Sequence, residues 1–375
     1  MPDVKGMISE FVKISHAPRK QLDHYLEQGK KVVGCFPVYT PEELVHASGM
    51  IPMGMWGAQA EIKHAKRFLP AFACPIMQGN LELGLRGSYK GVSAAIIPTL
   101  CDTFRCISQD WRFGVQEIPM IPVTYPQNRV LDASVDFLIS EYESVLSRLS
   151  IITGNLMTDD ALDATIKLYN EHSRTMLEFS DVANDHLDVI TPTVRHAVMK
   201  SAHFMEKGEH TKMVRELIDA LKAEPVFAFK GKRVILSGIS AEPDGLLKIL
   251  EENNMAVVAD DLAQETRLYR TLIPETGGTP IRRLAKQGNE REGCSLAHED
   301  FKKHGKILAD LAKKYKASGV IYCQMKFCDP EEYDYPICMK ALNEIDVPIM
   351  LLEIDQQESS CEQARTRIQS FAEIM

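Results

Sequence analysis

Two stretches of this chain end in the same way. Gly91-Val-Ser-Ala-Ala-Ile-Ile-Pro-Thr-Leu runs into Cys101-Asp102, and Gly319-Val-Ile-Tyr-Cys-Gln-Met-Lys-Phe runs into Cys328-Asp329. Each apolar run reads as a buried strand with a Cys-Asp pair at its carboxyl end. A proline-marked strand follows each, Pro119-Met-Ile-Pro-Val-Thr and Pro348-Ile-Met-Leu-Leu-Glu. The openings match as well: Gly29-Lys-Lys-Val-Val-Gly-Cys-Phe in the first half, Gly231-Lys-Arg-Val-Ile-Leu-Ser-Gly in the second. The separation of equivalents grows from 202 residues (Gly29 to Gly231) to 228 (Gly91 to Gly319), so the second unit carries an insertion around residues 261–305. Two generic βαβ units would also give such a recurrence. Alternating strands and helices in both halves predict an α/β protein. It has two related Rossmann-like or flavodoxin-like units with mainly parallel sheets and an intervening helical block. The expected boundaries are 1–130 for the first unit with its N-terminal helix, 131–228 for the helical block and 229–375 for the second unit.

At 375 residues the chain exceeds one ordinary core. Its net charge of −9 and lack of a basic arm argue against a nucleic-acid partner. The apolar runs are strand-length, too short to span a bilayer. The opening Met1-Pro-Asp-Val-Lys-Gly-Met has no apolar stretch of a signal peptide. A cytoplasmic location is therefore expected. There, nine cysteines serve as metal ligands, catalytic thiols or small buried apolar side chains rather than as disulfides.

Local signals fill in the frame. Residues 1–28 have the apolar spacing of an amphipathic helix, with Ile8, Phe11, Val12, Leu22, Tyr25 and Leu26 on one face. Thr40 reads as a helix N-cap with Pro41 at the first helical position. Helical spacing runs through 131–149, 160–184, 191–207 and 210–222, with Asp159 and Thr191 as caps.

A third thiol, Cys74, lies in Ala-Cys-Pro, where Pro75 suits the first position of a helix. Orphan amides and the helix dipole at such a start favour a thiolate. Cys74, Cys101 and Cys328 together suggest a metal or iron–sulfur cluster between the units. They are far apart in sequence, unlike the tight cysteine runs of ferredoxins. Cys106 and Cys323 are rivals, but Cys323 falls inside an apolar run and reads as core.

Other chemistries are absent. There is no Gly-x-x-x-x-Gly-Lys-Ser/Thr phosphate loop and no His-Glu-x-x-His, and Ser237-Gly-Ile-Ser-Ala-Glu-Pro-Asp-Gly lacks the dinucleotide glycine fingerprint. Asp260-Asp261 at a strand end, with Glu265 and Arg267 nearby, reads as a helix-capping group in preference to a functional one. Glu331, Glu332 and Asp334 read as a solvated turn, and Arg365 and Arg367 as surface ion-pair partners.

Longer stretches carry a resemblance. Gly34-Cys-Phe-Pro-Val-Tyr-Thr-Pro-Glu-Glu-Leu-Val-His-Ala-Ser-Gly-Met-Ile-Pro, Cys101-Asp-Thr, Ala259-Asp-Asp-Leu-Ala-Gln-Glu-Thr-Arg, Tyr169-Asn-Glu-His and Phe327-Cys-Asp-Pro-Glu-Glu-Tyr-Asp-Tyr-Pro resemble the β subunit of the anaerobic, activator-dependent (R)-2-hydroxyacyl-CoA dehydratases. That family is related to benzoyl-CoA reductase, and the likeness runs from about residue 5 to 375. It implies a lyase that works as one subunit of a heterodimer. Each subunit of such enzymes carries a [4Fe–4S] cluster on three cysteines, which here are Cys74, Cys101 and Cys328; the family's Cys-Asp motif selects Cys101 over Cys106. The fourth iron would have a non-cysteine ligand.

The resemblance further implies a separate ATP-hydrolysing iron–sulfur activator that supplies one electron. The thioester carbonyl of an (R)-2-hydroxyacyl-CoA becomes a ketyl radical, hydroxide and a β-proton leave in a reversible syn-type dehydration, and the electron returns. The product is an (E)-2-enoyl-CoA, a reaction of amino-acid fermentation in the cytoplasm of an anaerobe. Two other readings fit the same residues: a subunit of a CoA-ester reductase of the benzoyl-CoA type, and a zinc-stabilised scaffold without catalysis.

Overall fold

The computed structural model describes residues 3–299, 301–358 and 360–375. Among them lie two four-stranded sheets. The first contains β1 (Val32–Cys35), β2 (Ile51–Gly54), β3 (Val92–Pro98) and β4 (Met120–Val123); the second contains β5 (Lys232–Gly238), β6 (Met255–Leu262), β7 (Gly319–Met325) and β8 (Ile349–Ile354). The strand orders are β2-β1-β3-β4 and β6-β5-β7-β8, so the two halves share one topology. Every strand pairing is parallel. Strands β1, β2, β6 and β7 are buried along their whole length, as expected when helices cover both faces of a sheet. In both orders the direction of winding reverses beside the first strand of the unit. The crevice at the strand carboxyl ends near that reversal is where doubly wound sheets bind ligands.

Helices at Ala133–Thr153, Asp159–Val182, Pro192–Ser201 and Lys207–Lys222 separate the sheets in the chain. They pack Met176, Phe179, Val198, Val214 and Leu217 into a core of their own. Another apolar core runs from Val33 and Ile96 of the first sheet to Leu236 and Ile321 of the second. Cys328 belongs to it, and Cys74 and Cys101 pack against it. Burial of this shared core holds the two sheets together and brings their strand ends to one place.

Three local expectations change. The helix predicted over residues 1–28 is two helices, Val4–His16 and Pro18–Glu27, because Pro18 has no N–H to continue the first. Phe11 of the first joins the core of the middle helices. The cap of the long Asp159–Val182 helix is Thr158, whose hydroxyl accepts from the Ala161 amide; Asp159 is the first helical residue. Pro41 rather than Thr40 precedes the Glu42–Ala47 helix, since the Thr40 hydroxyl donates to the Phe36 carbonyl instead.

Candidate functional site

Cys74, Cys101 and Cys328 each occupy the N-cap of a helix: Pro75–Leu85, Asp102–Gly114 and Asp329–Asn343 respectively. Sequence explains each start. Pro75 and Pro330 fill early helical positions where a missing N–H costs nothing. Asp102, Asp329, Glu331 and Glu332 place negative charge in the first turn, where the helix dipole favours it. Phe327, just before Cys328, takes a left-handed conformation (φ 60°) that a bulky residue seldom adopts. Such strain, of about 1–3 kcal/mol, tends to persist where the surroundings dictate a side chain's position.

The three sulfurs lie within electrostatic reach of one another. Burial pushes the Cys74 thiol up to about 12, and a charge on Cys101 adds to that rise. The Cys101 thiol is raised by burial first, with Asp102 and Asp329 contributing. Cys328 is raised well above the ordinary value by burial, then by Glu331, Cys74 and Cys101. The opposing pull comes from backbone amides one turn into each helix: Met77 and Ile76, Phe104 and Thr103, and Glu331. Neutral thiols are thus held at three helix starts whose amides favour a negative sulfur. A positively charged metal centre would shift that balance and deprotonate them.

Three thiols are a soft donor set of the kind that zinc and iron–sulfur clusters take. Among the described residues, no three His, Cys, Asp or Glu groups close around a single metal ion. A cluster brings its own sulfide and holds its thiolates further apart than one tetrahedral ion does. All nine cysteines are free. Cys106 is exposed, one turn along the helix that Cys101 caps, and Cys323 is fully buried inside β7.

Contacts between the units fix where the helix starts meet. The Gln357 side chain accepts from the Ala60 amide at 2.7 Å and donates to the Ala58 and Pro75 carbonyls at 3.2 and 3.3 Å. Gln356 donates to the Trp56 carbonyl at 3.0 Å and to Glu242 at 2.8 Å. The loop after β8 therefore grips the turn that delivers Cys74. Gly57 takes a left-handed conformation (φ 72°) that favours glycine, and a Cβ on Gly79 would crowd the Gln357 amide at 2.9 Å, so both glutamines pack close against this turn.

The acidic residues after Cys328 are not a solvated turn. Glu331 and Asp334 are buried at 0 % and 1 % exposure, while Glu332, like Asp329 before it, faces solvent. Arg267 Nη1 donates to Glu331 at 3.0 Å, and its Nη2 donates to Asp261 at 3.0 Å. His304 bridges Asp261 (2.7 Å) and Asp334 (3.1 Å), while Lys302 donates to Asp334 at 2.9 Å. Arg270 also pairs with Asp261, and the Ser295 hydroxyl donates to Glu331. Burial would lower the basicity of His304, but Asp261 and Asp334 raise it well above the usual range.

Asp261 is therefore an ion-pair hub rather than a cap. Asp260, within β6, accepts from the Thr266 amide at the start of the Thr266–Tyr269 helix at 2.9 Å, although Glu265 is that helix's N-cap, and it also pairs with Arg195 at 2.6 Å. The network ties the Cys328 helix to the end of β6. A sequence signal existed, since Glu331, Asp334, Cys338 and Leu342 recur at helical spacing and all face inward. Arg365 pairs with Glu252 at the surface, as its position suggested.

A separate cavity of about 80 Å³ opens at the carboxyl end of β1. Tyr39, Glu43, Tyr169, His172, Lys207 and Arg291 are among its walls. Burial raises the Glu43 carboxyl to about 7. The cysteine pattern gave no hint of this space.

The chain matches the family model described as 2-hydroxyglutaryl-CoA dehydratase, D-component, over residues 37–375. It is 47% identical over 376 residues to the (R)-phenyllactyl-CoA dehydratase beta subunit of Clostridium sporogenes, with both chains covered completely. It is 43% identical to the beta subunit of lactoyl-CoA dehydratase of Anaerotignum propionicum, again over the whole of both. Identity to subunit beta of (R)-2-hydroxyglutaryl-CoA dehydratase of Acidaminococcus fermentans is 37%, over 99% of each chain. No helix among the described residues is long and apolar enough to cross a membrane.

Proposed function

Because this chain belongs to the 2-hydroxyglutaryl-CoA dehydratase D-component family, we propose that Cys74, Cys101 and Cys328 hold a [4Fe–4S] cluster serving the dehydration of an (R)-2-hydroxyacyl-CoA. The protein is the β subunit of a 2-hydroxyacyl-CoA dehydratase, a hydro-lyase, and acts as one subunit of a complex with an α partner. The observation that supports the cluster reading is that each of the three thiols caps a helix N-terminus, with all three packed in or against one apolar core. Such ends supply positive dipoles and orphan amides to an anionic group.

When bound, the group supplies one-electron transfer toward the thioester carbonyl, which turns the 2-hydroxyl into a leaving group. The residues of this chain position it. Pro75 and Pro330 set the helix starts, Gln357 holds the Cys74 turn against the second unit, and the Arg267–Glu331 and His304–Asp334 pairs fix the Cys328 helix. The family resemblance implies that the electron comes from a separate ATP-dependent iron–sulfur activator, and the lack of a phosphate loop in the sequence fits that.

The test is anaerobic co-expression with the α subunit, iron and sulfide analysis, and turnover on a panel of 2-hydroxyacyl-CoA esters with the activator. One cluster on this subunit and a need for only catalytic amounts of reductant support the reading. Electron consumption in proportion to product would make the complex a reductase. Zinc in place of iron, in active protein, would remove the cluster from the function.

A further inference from the structure

The buried charges beside Cys328 do more than the packing of a helix requires. Glu331 stands one turn into the helix that Cys328 caps, and its amide donates to the Cys328 carbonyl at 3.1 Å. Its carboxylate is fully buried. One oxygen accepts from Arg267 at 3.0 Å and from Ser295; among the described residues the other, Oε2, has no partner. A half-satisfied carboxylate in the interior is costly when apolar packing would serve as a clamp. Arg267 is equally buried, and its Nη1 also reaches the Cys294 sulfur at 3.6 Å.

We propose that Glu331 and Arg267 form an electrostatic couple that sets the reduction potential of the cluster bound at Cys328, Glu331 holding it low and Arg267 raising it. This rests on the cluster reading above. The physical reason is the low local dielectric. A fixed charge near a thiolate ligand acts on each electron that the centre gains, and solvent does not screen it. Net charge and burial around the sulfurs are among the levers a protein has on such a potential. Glu331 lies three residues on from Cys328, in the first turn of the helix that Cys328 caps, and its amide is bonded to the Cys328 carbonyl. Glu331 is thus a positioning and tuning residue and acts through the cysteine it neighbours.

The experiment is redox potentiometry with electron paramagnetic resonance on the anaerobically purified complex, comparing wild type with Glu331→Gln, Arg267→Gln and the double variant. Iron and sulfide are counted in each. Glu331→Gln keeps an acceptor for Arg267 and removes one negative charge, so the midpoint of this subunit's cluster moves positive. Arg267→Gln moves it negative, the double variant returns close to wild type, and Glu331→Asp does likewise. Fully loaded variants with an unmoved midpoint would overturn the proposal. Loss of iron from both Glu331→Gln and the double variant, with native circular dichroism, would also overturn it and leave the pair as a clamp. Absence of iron from wild type would instead strike the cluster reading itself.

Discussion

Cys101 and Cys328 occupy the same place in two sheets. Each lies three residues past the end of its strand, Pro98 of β3 and Met325 of β7, and each caps the helix that follows. The strands themselves hold equivalent positions in the orders β2-β1-β3-β4 and β6-β5-β7-β8. The site is therefore built from one repeated device used twice. Cys74, from the helix after β2, is the asymmetric third member.

That arrangement predicts unequal effects of cysteine removal. Cys74→Ala, Cys101→Ala and Cys328→Ala are each expected to lower iron by up to one cluster per complex and to abolish most turnover. Cys106→Ala, on the exposed face one turn away, is expected to keep full iron. Iron analysis of the four purified variants decides it, and retention in Cys101→Ala with loss in Cys106→Ala would reassign the ligand.

The hub at Asp261 carries a stability prediction. Its carboxylate is fully buried and pairs with Arg267, Arg270 and His304. Asp261→Ala removes one of the two carboxylates that buried Arg267 and buried His304 each pair with, leaving Glu331 and Asp334, and is expected to cost about 3–5 kcal/mol. The exposed Lys306–Asp310 pair offers a control: Asp310→Ala is expected to cost under about 1 kcal/mol. Urea denaturation of both variants measures the contrast, and equal shifts would mean that the hub is dispensable.

Stability is expected to peak at about pH 6. On the acid side, burial and then Lys207 lower His203 to about 4 and His210 to about 3. Both are buried neutral, so their contribution is complete above 6.5 and is lost as pH falls toward those values. On the alkaline side, His196 rises to about 9: burial opposes its charge, but Glu242 and Glu265 outweigh burial. Its contribution is complete below 6.5 and is lost as pH rises through 9. Glu43, raised to about 7 by burial, adds a loss between 4.5 and 7. Thermal midpoints from pH 4 to 9 test this, and a flat profile from 6.5 to 9 would dismiss the His196 contribution.

Gln357 links the loop after β8 to the Cys74 turn through three hydrogen bonds. Gln357→Ala is expected to cost about 1–3 kcal/mol and to leave the Ala60 amide and two carbonyls seeking water. The functional consequence is faster loss of iron to a chelator, with normal iron at the start. The exposed Gln369→Ala is the control, and identical chelation rates in the two would place the unit contact elsewhere.

Much of this was legible in the sequence because it rests on local rules. Glycine and proline punctuation, β-length apolar runs and a recurring Cys-Asp gave the two parallel sheets and the order of the units. The family resemblance, carried by the Phe327-Cys-Asp-Pro-Glu-Glu stretch among others, gave the dehydratase subunit. The break at Pro18 was also a local signal, and the spacing of apolar residues on either side hid it.

The buried charges were another matter. Glu331 and Asp334 look like surface residues in a row of acids, and Asp260-Asp261 like a pair of caps. A chain read in one dimension cannot show that Arg267, His304 and Lys302 arrive from separate elements to neutralise them. Nor can it show that Gln357 reaches back almost three hundred residues to the turn before Cys74. Local propensity depends on neighbours in the chain, so the sequence determined the strands, the helix starts and the three thiols. Burial of a carboxylate depends on which cation lies opposite it in space, so only the tertiary structure decided the ion-pair hub beside Cys328 and the unit contact at the Cys74 turn.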